Sequence, residues 1–578
     1  MKEGSEIRNG LRVDWNVPIK VDDGTVLRAD VYRPIKEGRY PVLMSYGPYA
    51  KGLAFQTGYP AQWNALVADH PDVAMGTTTE FANWETADPE KWVPLGYICV
   101  RVDSRGAGES PGRVDPWSDR ERSDFYQCIE WAGTQDWSNG NVGLAGVSYY
   151  AMNQWMVAAD RPPHLKAICP FEGCSDYYRE VTRHGGIVCT FLKRWYPIQV
   201  KNVQYGLGST ARKSLVTGEG IAGGVDLSEA ERAANRVEVH QEVLARELDG
   251  PFYRERSANL SKIDVPVLSC GNWGGQGLHL RGNIEGFLAA SSKQKWLEIH
   301  GREHWTEFYT DYGIGLQKQF FDHFLKGEDN GWDKRPPVLL QVRHIDKFVE
   351  RTEQEWPLAR TKWTKFYLDA ENMALTTEPP AKAQSARFRA MKETLTFMSA
   401  PLEAETEITG PMAAKLFVSS STIDADLFLS FRVFDPEGKE VLFVGAVDPN
   451  APISLGWLRA SHRKLDPQRS IFYRPYHTHD EKQPLEPGKN YEVDVEIWPS
   501  CIVVPKGYRL ALTVSGHDFD HGLPEPMPQI YGVSQRGVSV MMHDDSDDRP
   551  EAIFGGETTL QAGGDMPASI VLPVIPSK

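Results

Sequence analysis

The chain has 578 residues, 41% of them hydrophobic and 24% charged, which is enough for two or three hydrophobic cores. Its formal charge of -15 argues against a nucleic-acid or anionic-membrane partner, because both attract a basic surface. The sequence has no signal peptide at its start and no apolar run near the ~20 residues of a membrane span. Seven cysteines without a Cys-x-x-Cys pair predict reduced thiols and a cytoplasmic protein. Cys169 and Cys174 lack companion ligands at a suitable spacing, so we expect no metal and no cofactor.

The first hundred residues alternate between predicted strands and turns. Leu11–Pro34 alternates as two strands around the hairpin signal Asp22-Asp23-Gly24. Tyr40–Tyr46 is a buried strand that ends in the loop Gly47–Lys51. Residues 52–92 show no periodicity, and a structureless loop of that length usually has a functional or lid role.

The next segments alternate between strand and helix. Gly96–Asp103 is a predicted strand that ends in the glycine-rich turn Ser104–Ser110. Asp119–Ala132 is a predicted helix, and Leu165–Pro170 is another strand. Strands that alternate with helices across short glycine turns predict a mostly parallel α/β sheet.

A candidate nucleophile lies between two of these elements. The apolar run Val142–Val147 leads into Ser148, and small or aromatic residues then open a helix through Val157. This pattern is typical of a nucleophile elbow, in which small neighbours leave room for a serine on a strained turn. The sequence departs here from the usual Gly-x-Ser-x-Gly form, because Tyr150 occupies the position of the last glycine. The alternative is an ordinary strand-to-helix turn that contains a serine.

The pattern changes twice further along the chain. Charged segments with helical spacing, such as Ser228–Asp249, predict a helical cap inserted into the sheet domain. The sheet resumes at Val265–Cys270 and Lys295–His300, and an amphipathic helix runs from Gly315 to Lys326. Beyond residue 335, two-residue alternation such as Leu427–Phe434 predicts an antiparallel β-sandwich of jelly-roll type. The predicted domains are 1–173 and 256–335 (an α/β-hydrolase core), 174–255 (the cap) and 336–578 (the jelly-roll β-sandwich).

Several motifs together resemble one known family. The matching stretches are Asp23-Gly24-Thr25, Gly47–Lys51, Asp103–Ser110, Trp137–Gly140, Ser148-Tyr149, Ile408–Pro411 and Asp424–Leu427. They span most of the chain and resemble the cocaine-esterase and X-prolyl dipeptidyl-peptidase family of serine hydrolases. The resemblance implies an α/β-hydrolase core with a helical cap and a C-terminal jelly roll. Its members include acyl esterases, amidases and S15-type peptidases, so the substrate does not follow from the fold.

The resemblance also implies roles for particular residues. Ser148 would be the nucleophile, and the Tyr149 N–H and the Tyr49 hydroxyl would stabilise the oxyanion. The general base would be His304, in the loop after the last core strand. His279 is its rival, and His300 is interpreted as a strand residue.

The acid of the triad departs from the family pattern. The family has Gly-Trp-Tyr-Asp where this chain has Asn272–Gly275, with no carboxylate. Glu172, at the end of the strand after the elbow, is the relocated candidate and keeps the order nucleophile, acid, base. Alternatively, Glu172 lines the pocket or pairs with a cap arginine. Asp103 and Arg105 are interpreted as structural, bracing the loop beside the elbow.

The function predicted from these residues is hydrolysis of carboxylic esters through an acyl-enzyme on Ser148, with amide cleavage by the same mechanism left open. The partner is a small ester or amide, with no nucleic acid and no membrane, and the oligomeric state is left open. An X-Pro dipeptidyl aminopeptidase is the enzymatic alternative, and it needs carboxylates that hold a free α-amino group. A binding protein that kept the fold and lost the triad is the alternative from another class.

Overall fold

The structure is a computed structural model that describes residues 2–524 and 529–576. The first strands in chain order are β1 Gly4–Arg8, β2 Leu11–Lys20, β3 Val26–Pro34, β4 Tyr40–Gly47, β5 Ile98–Asp103, β6 Ser138–Val147, β7 Leu165–Phe171, β8 Arg183–His184, β9 Ile187–Val188, β10 Val267–Asn272, β11 Lys295–His300, β12 Val338–Arg343 and β13 Phe348–Glu353. The later strands are β14 Lys362–Asp369, β15 Ala374–Thr376, β16 Gln384–Arg389, β17 Thr394–Ser399, β18 Thr406–Ser420, β19 Asp426–Phe434, β20 Ser454–Arg459, β21 Tyr491–Val504, β22 Arg509–Ser515, β23 Gln529–Ile530, β24 Val533–Ser534, β25 Glu557–Ala562 and β26 Ser569–Ile575. The α-helices are α1 Phe55–Gly58, α2 Pro60–Asp69, α3 Pro89–Trp92, α4 Asp119–Gly133, α5 Tyr149–Ala158, α6 Phe191–Trp195, α7 Glu229–Ala234, α8 Val239–Leu244, α9 Pro251–Glu255, α10 Leu280–Ala289, α11 Asp311–Lys326 and α12 Glu551–Phe554.

The first sheet is the mixed sheet that carries the elbow. Its strand order is β1-β2-β3-β5-β4-β6-β7-β10-β11-β12-β13. The run from β5 to β12 is parallel, whereas β1 to β3 and β13 add antiparallel strands at the two edges. Because the carboxyl ends of parallel strands meet at one edge, the loops after β6, β7 and β11 lie side by side.

Both faces of this sheet are covered by apolar side chains. Along β4, Val42 and Met44 face a core that includes Phe125 and Ile129 of α4, whereas Leu43 faces a core that includes Phe320 of α11. The two-residue period of a strand sends alternate side chains to opposite faces, so the parallel strands carry apolar residues on both faces. The predicted helix over 119–132 is confirmed as α4, and Ser118 caps its first turn.

Residues 52–92 are not the structureless loop that the sequence predicted. They contain α1, α2 and α3. Of the ten residues of α2, only Leu66 is buried, so the helix has no clear apolar stripe. Short helices with such a weak pattern are not detected by hydrophobic periodicity. Between α2 and α3 the chain forms a short 3-10 helix at Pro71–Ala74 and is then irregular, with left-handed residues at Thr79 and Glu85.

The segment 174–255 contains the short helices α6 to α9, the hairpin β8–β9 and a π-helical turn at Tyr177–Thr182. The charged run predicted as helical, Ser228–Asp249, forms α7 and α8, separated by residues 235–238. Ser228 and Glu231 form a reciprocal capping box at the start of α7.

The C-terminal sheet closes on itself. Its order is β16-β25-β18-β21-β20-β19-β22-β17-β15-β14-β26, and β26 also pairs with β18. The predicted alternation is confirmed, because Leu427, Leu429, Phe431 and Val433 of β19 all lie in the central core. The predicted sandwich of two separate sheets differs from the observed pairing, since β26 hydrogen-bonds to β14 on one side and β18 on the other.

The first sheet extends past residue 335, where the sequence placed the end of the core. Strands β12 and β13 follow that boundary but pair with β11 and with each other. The C-terminal sheet begins at Lys362 of β14. In the ranges that the structure describes, no helix has both the length and the apolar character needed to cross a membrane.

Candidate active site

Ser148 lies on a sharp turn between β6 and α5. Its φ of 59° and ψ of -111° are strained for a residue with a side chain. The Ser148 N–H donates to the carbonyl oxygens of Phe171 (3.1 Å) and Glu172 (3.2 Å), which ties the elbow to the end of β7. Gly146 is required here, because a Cβ on it would lie 2.4 Å from the Tyr150 Cβ. A strained serine between a strand and a helix is the backbone geometry that a nucleophile elbow requires.

The structure also explains the tyrosine at the position where a glycine is usual. The Tyr150 ring occupies space beside Gly47, and a Cβ on Gly47 would lie 2.7 Å from its Cε1 atom. On the other side, a Cβ on Gly173 would lie 2.6 Å from the Ala151 Cβ. The glycines that allow close packing therefore lie on the neighbouring strand ends, and the elbow itself can carry an aromatic residue.

Two potential oxyanion donors lie together beside the elbow. Tyr149 is the first residue of α5, where a backbone N–H has no intrahelical acceptor. The Tyr49 ring packs edge-on against Tyr149, with 5.8 Å between centroids. Trp195 Nε1 donates to the Tyr49 hydroxyl at 3.0 Å. Because an indole can only donate, the Tyr49 hydroxyl accepts this bond and keeps its own proton available. Burial raises the pKa of Tyr49, so the hydroxyl stays protonated.

His304 lies in the loop after β11, as predicted, and both of its ring nitrogens face carboxylates. Nδ1 is 3.6 Å from Glu172 Oε2, and Nε2 is 3.0 Å from Glu85 Oε1. Its backbone N–H donates to the carbonyl of Ala446 at 2.9 Å. A loop of the C-terminal part therefore helps to hold the histidine.

Glu172 is fully buried at the end of β7, with its φ at 50°. Asn272 Nδ2 donates to Glu172 Oε1 at 3.2 Å and to the carbonyl of Arg302 at 2.7 Å. Asn272, the first residue of the stretch that lacks the family's aspartate, thus connects Glu172 to the loop that carries His304. In the described part of the chain, the ion-pair partners of Glu172 are His300 and His304, and the pairing with a cap arginine is not observed.

His300, which the sequence analysis treated as a strand residue, extends this cluster. Its Nε2 lies 3.0 Å from Glu172 Oε1, and its Nδ1 lies 2.8 Å from Glu298 Oε2. Burial acts to lower the pKa of His300, but the two carboxylates outweigh it and raise the pKa to about 10. Burial likewise acts to raise the pKa of Glu172, but His300 and His304 lower it to about 2. Glu172 is therefore ionised at neutral pH.

Glu85 is the site residue that sequence reasoning missed. It is 2% exposed, and its carbonyl oxygen accepts a hydrogen bond from the N–H of Val147, which precedes Ser148. The sequence around Glu85 has no hydrophobic periodicity. The only indication of a functional role was the length of the segment without predicted secondary structure. Glu298 and His300 did carry a signal: two ionisable residues share one face of an otherwise apolar strand.

His279, the rival base, stacks on His304 with 5.5 Å between ring centroids. Its Nδ1 lies 3.2 Å from the Cys174 Sγ atom. Burial and the neighbouring His304 lower the pKa of His279 to about 3, so this ring stays neutral. In the described ranges it makes no carboxylate contact, which disfavours it as the base.

Asp103 and Arg105 have structural partners, as the sequence analysis proposed. The carboxylate of Asp103 accepts hydrogen bonds from the backbone N–H groups of Lys51 (2.6 Å) and Glu109 (2.8 Å). Arg105 pairs with Asp124 at 2.7 Å and with Asp23 at 2.8 Å. These contacts fix the turn after β5 next to the loop that carries Tyr49.

One cluster elsewhere has residue types that could hold a metal ion. The ligand atoms of His184, Cys189 and His543 lie within 4.8 Å of one another. His184 Nδ1 is 2.8 Å from His543 Nε2, and His543 Nδ1 is 2.7 Å from Asp518 Oδ1. Both distances are those of hydrogen bonds. One proton between the two imidazole rings and one between His543 and Asp518 account for them. All seven cysteines are free and buried.

The comparisons with known proteins cover nearly the whole chain. Residues 23–306 match the family model of the X-Pro dipeptidyl-peptidase (S15 family), and residues 330–558 match its C-terminal non-catalytic domain. A solved CocE/NonD family hydrolase from Staphylococcus aureus is 32% identical, with a TM-score of 0.82 over 98% of this chain and 94% of that one. The cocaine esterase of Rhodococcus sp. (strain MB1 Bresler) is 24% identical over 97% of this chain and 98% of its own length. A putative Xaa-Pro dipeptidyl-peptidase of Streptomyces avermitilis is 25% identical over 89% of this chain and 80% of its own length.

The fold and the two matched regions define a hydrolase with an S15-type catalytic part and a non-catalytic C-terminal domain. The chain belongs to the CocE/NonD family of hydrolases. The resemblance inferred from the sequence motifs is thereby confirmed.

Proposed function

We propose that this protein is a serine hydrolase that cleaves carboxylic esters through an acyl-enzyme on Ser148. The observation that carries the proposal is the arrangement around the elbow. Ser148 lies on a strained turn, and the adjacent Tyr149 packs against Tyr49. His304 lies between the carboxylates of Glu85 and Glu172, whose backbone carbonyls accept hydrogen bonds from the elbow. Strain at a partly exposed nucleophile with donors beside it is typical of acyl transfer.

Each residue has a defined role in the proposed mechanism. Neutral His304 accepts the Ser148 proton at Nε2 as Oγ attacks the ester carbonyl, and Glu172 stabilises the imidazolium from the Nδ1 side. The Tyr149 N–H and the Tyr49 hydroxyl donate to the oxyanion. The imidazolium then protonates the leaving alcohol. Water, deprotonated by His304, releases the acid and restores Ser148.

The side chains around the site support an apolar acyl or leaving group. Trp84 stacks on Tyr59 with 4.1 Å between centroids and lies 6.0 Å from the His304 ring. Trp195 stacks on Tyr149 from the segment 174–255, the proposed helical cap of the α/β-hydrolase core. Aromatic walls with a few polar groups are typical of small-molecule sites.

The X-Pro aminopeptidase is the weaker candidate. It needs carboxylates that are free to hold an α-ammonium group. Glu85 is a buried carboxylate beside the elbow, but its Oε1 is already engaged by His304. One carboxylate with a single uncommitted oxygen falls short of the carboxylate set that the peptidase needs, which favours the esterase.

The test is hydrolysis of a p-nitrophenyl ester panel by the wild type, Ser148→Ala and His304→Ala, with Ser261→Ala as a remote serine control. We expect turnover by the wild type and the control, and a loss of several orders of magnitude in both site variants. X-Pro anilides with a free and a blocked amine separate the peptidase from the esterase. A wild type that is silent on all substrates, and unlabelled by a fluorophosphonate, would favour the non-catalytic alternative.

A further inference from the structure

We propose that Glu85 is a positioning residue that holds the resting proton on Nε2 of His304, so that His304 becomes a base only after this proton has left Nε2 and the Glu85–His304 hydrogen bond has broken. The inference depends on the proposed function, because it assigns a partner to the proposed base. Glu85 lies outside the nucleophile, acid and base that the motifs predict.

The first argument is the geometry of the histidine. With Nδ1 directed at Glu172, Nε2 is the nitrogen that must receive the Ser148 proton. That nitrogen lies 3.0 Å from Glu85 Oε1 instead. Among the described residues, the Ser148 hydroxyl makes no hydrogen bond. Glu85 therefore engages the nitrogen that the nucleophile must reach.

The second argument is how the chain holds Glu85. Its φ of 63° is left-handed, which is uncommon for a residue with a side chain. Its carbonyl oxygen accepts from the N–H of Val147 at 3.0 Å, and a Cβ on Gly146 would lie 3.2 Å from the same oxygen. The Glu85 backbone is thus fixed directly against the elbow. Within residues 2–524 and 529–576 its Oε2 has no hydrogen-bond partner, so the carboxylate can rotate away from His304 at the cost of that one bond.

The third argument is the charge around His304. The ionisable groups that face its ring are Glu85 from the segment before α3, Glu172 from the end of β7 and His279 from the start of α10, with His300 behind Glu172. His279 is neutral, so the two carboxylates dominate. Burial acts to lower the pKa of His304, but Glu172 and Glu85 raise it to about 9.

The ionisable groups around Glu85 determine the protonation state of the Glu85–His304 pair. Besides His304 and Glu172, it lies near buried or partly buried tyrosine side chains whose pKa is raised by desolvation, so that they stay protonated; these are Tyr49, Tyr59, Tyr150, Tyr309 and Tyr531. Burial raises the pKa of Glu85 to about 6, although His304 opposes this. Between pH 6 and 9 the pair is therefore an imidazolium and a carboxylate. Transfer of the Nε2 proton to Glu85 Oε1 along the existing bond leaves a neutral acid and a neutral base.

The sign of the pH dependence follows from this pair. Only neutral His304 accepts the serine proton, so the reactivity of Ser148 should fall as the pH drops below about 9. Replacing Glu85 by an uncharged residue removes one of the two groups that stabilise the imidazolium. The pKa of His304 should then be lower, and Ser148 should remain reactive at lower pH.

The experiment is the rate of Ser148 labelling by a fluorophosphonate between pH 5.5 and 10, in the wild type, Glu85→Gln and Glu85→Asp. We expect Glu85→Gln to lower the midpoint by about one unit, which makes labelling at pH 7 about tenfold faster. Glu85→Asp keeps the charge and should keep a midpoint above that of Glu85→Gln. The control is Glu80→Gln, which removes a carboxylate of the same segment that pairs with Arg8 and Asn9.

Two outcomes would overturn the proposal. If Glu85→Gln changes the rate but keeps the wild-type midpoint, Glu85 has only a structural role and the serine hydrolase assignment stands. If Ser148 is unlabelled in every variant at every pH, the proposed function itself fails, and the role of Glu85 fails with it.

Discussion

The Tyr49 hydroxyl shows how one contact can determine what a side chain offers. Trp195 donates to its oxygen, so the proton of Tyr49 must point elsewhere. The ring is 3% exposed and packs against both Tyr149 and Tyr150, which leaves it little freedom to move. A preorganised donor of this kind needs no rearrangement when the oxyanion forms.

We therefore expect Tyr49→Phe to lower kcat for a p-nitrophenyl ester by about 100- to 1000-fold with a small change in KM. Phenylalanine keeps the packing of the ring and removes only the donor. Tyr40→Phe, which removes a hydroxyl bonded to the carbonyl of Lys36, is the matched control. An equal loss in both variants would contradict the oxyanion role.

Single residues differed in how well the sequence located them. Ser148 and Tyr149 belong to a contiguous motif, so their position follows from local sequence. Glu172 and His304 are far apart in sequence but follow parallel strands of the same sheet, which predicts that they meet. Glu85 could not be found in this way, because a left-handed turn in an irregular segment directs it toward the elbow.

At the scale of elements, the loop after β10 meets a loop of the C-terminal part at two glycines. A Cβ on Gly274 would lie 2.6 Å from the Gly445 Cα atom. Next to this contact, the Ala446 N–H donates to the Gly274 carbonyl, and the Ala446 carbonyl accepts from the His304 N–H, both at 2.9 Å. The position of His304 thus depends on a contact that only glycine permits.

We expect Gly274→Ala to push these loops apart and to lower kcat by about 100-fold, which is the loss expected for a displacement of a catalytic group near 1 Å. The substitution itself adds only one methyl group and removes no catalytic group. The reference variant is Gly315→Ala in α11, where an added Cβ would meet nothing within 4 Å. Ester hydrolysis and circular dichroism of both variants provide the check. Full activity in Gly274→Ala would show that the loops can separate without moving His304.

Elements with a strong period were the predictable ones. The helix α4 and the strand β19 were located from apolar spacing alone. The closure of the C-terminal sheet could not be predicted, because the alternation of apolar and polar residues shows which face of β26 is buried but not which strands pair with it. The extension of the first sheet by β12 and β13 is likewise a matter of pairing.

On the scale of the whole molecule, the stretch Asp544–Arg549 binds the C-terminal part to the segment 174–255. Asp548 accepts from Arg183 at 2.9 Å and from Arg459 at 2.9 Å, and all three side chains are nearly fully buried. Asp545 lies 2.7 Å from His240 Nε2. These ion pairs hold the segment that carries Trp195 against the rest of the protein.

We expect Asp548→Asn to destabilise this docking by about 3–5 kcal/mol, because it leaves buried guanidinium groups short of a counter-charge. Thermal unfolding and limited proteolysis should show a lower apparent Tm and earlier cleavage. Asp547→Asn, which changes the exposed neighbour, should behave as the wild type does. Equal stability of the two variants would mean that the ion pairs do not hold the segment.

The closing strand β26 has a consequence for biosynthesis. Its partner β18 is made much earlier, and β14 earlier still. At 5–20 residues per second, β18 waits roughly 8 to 30 s on the ribosome before β26 is made. During that time the edges of β14 and β18 lack their shared neighbour and are open to pairing with other nascent chains. We therefore expect the C-terminal part to be a substrate for chaperones that act during translation, whereas the elbow and its sheet can begin to assemble earlier.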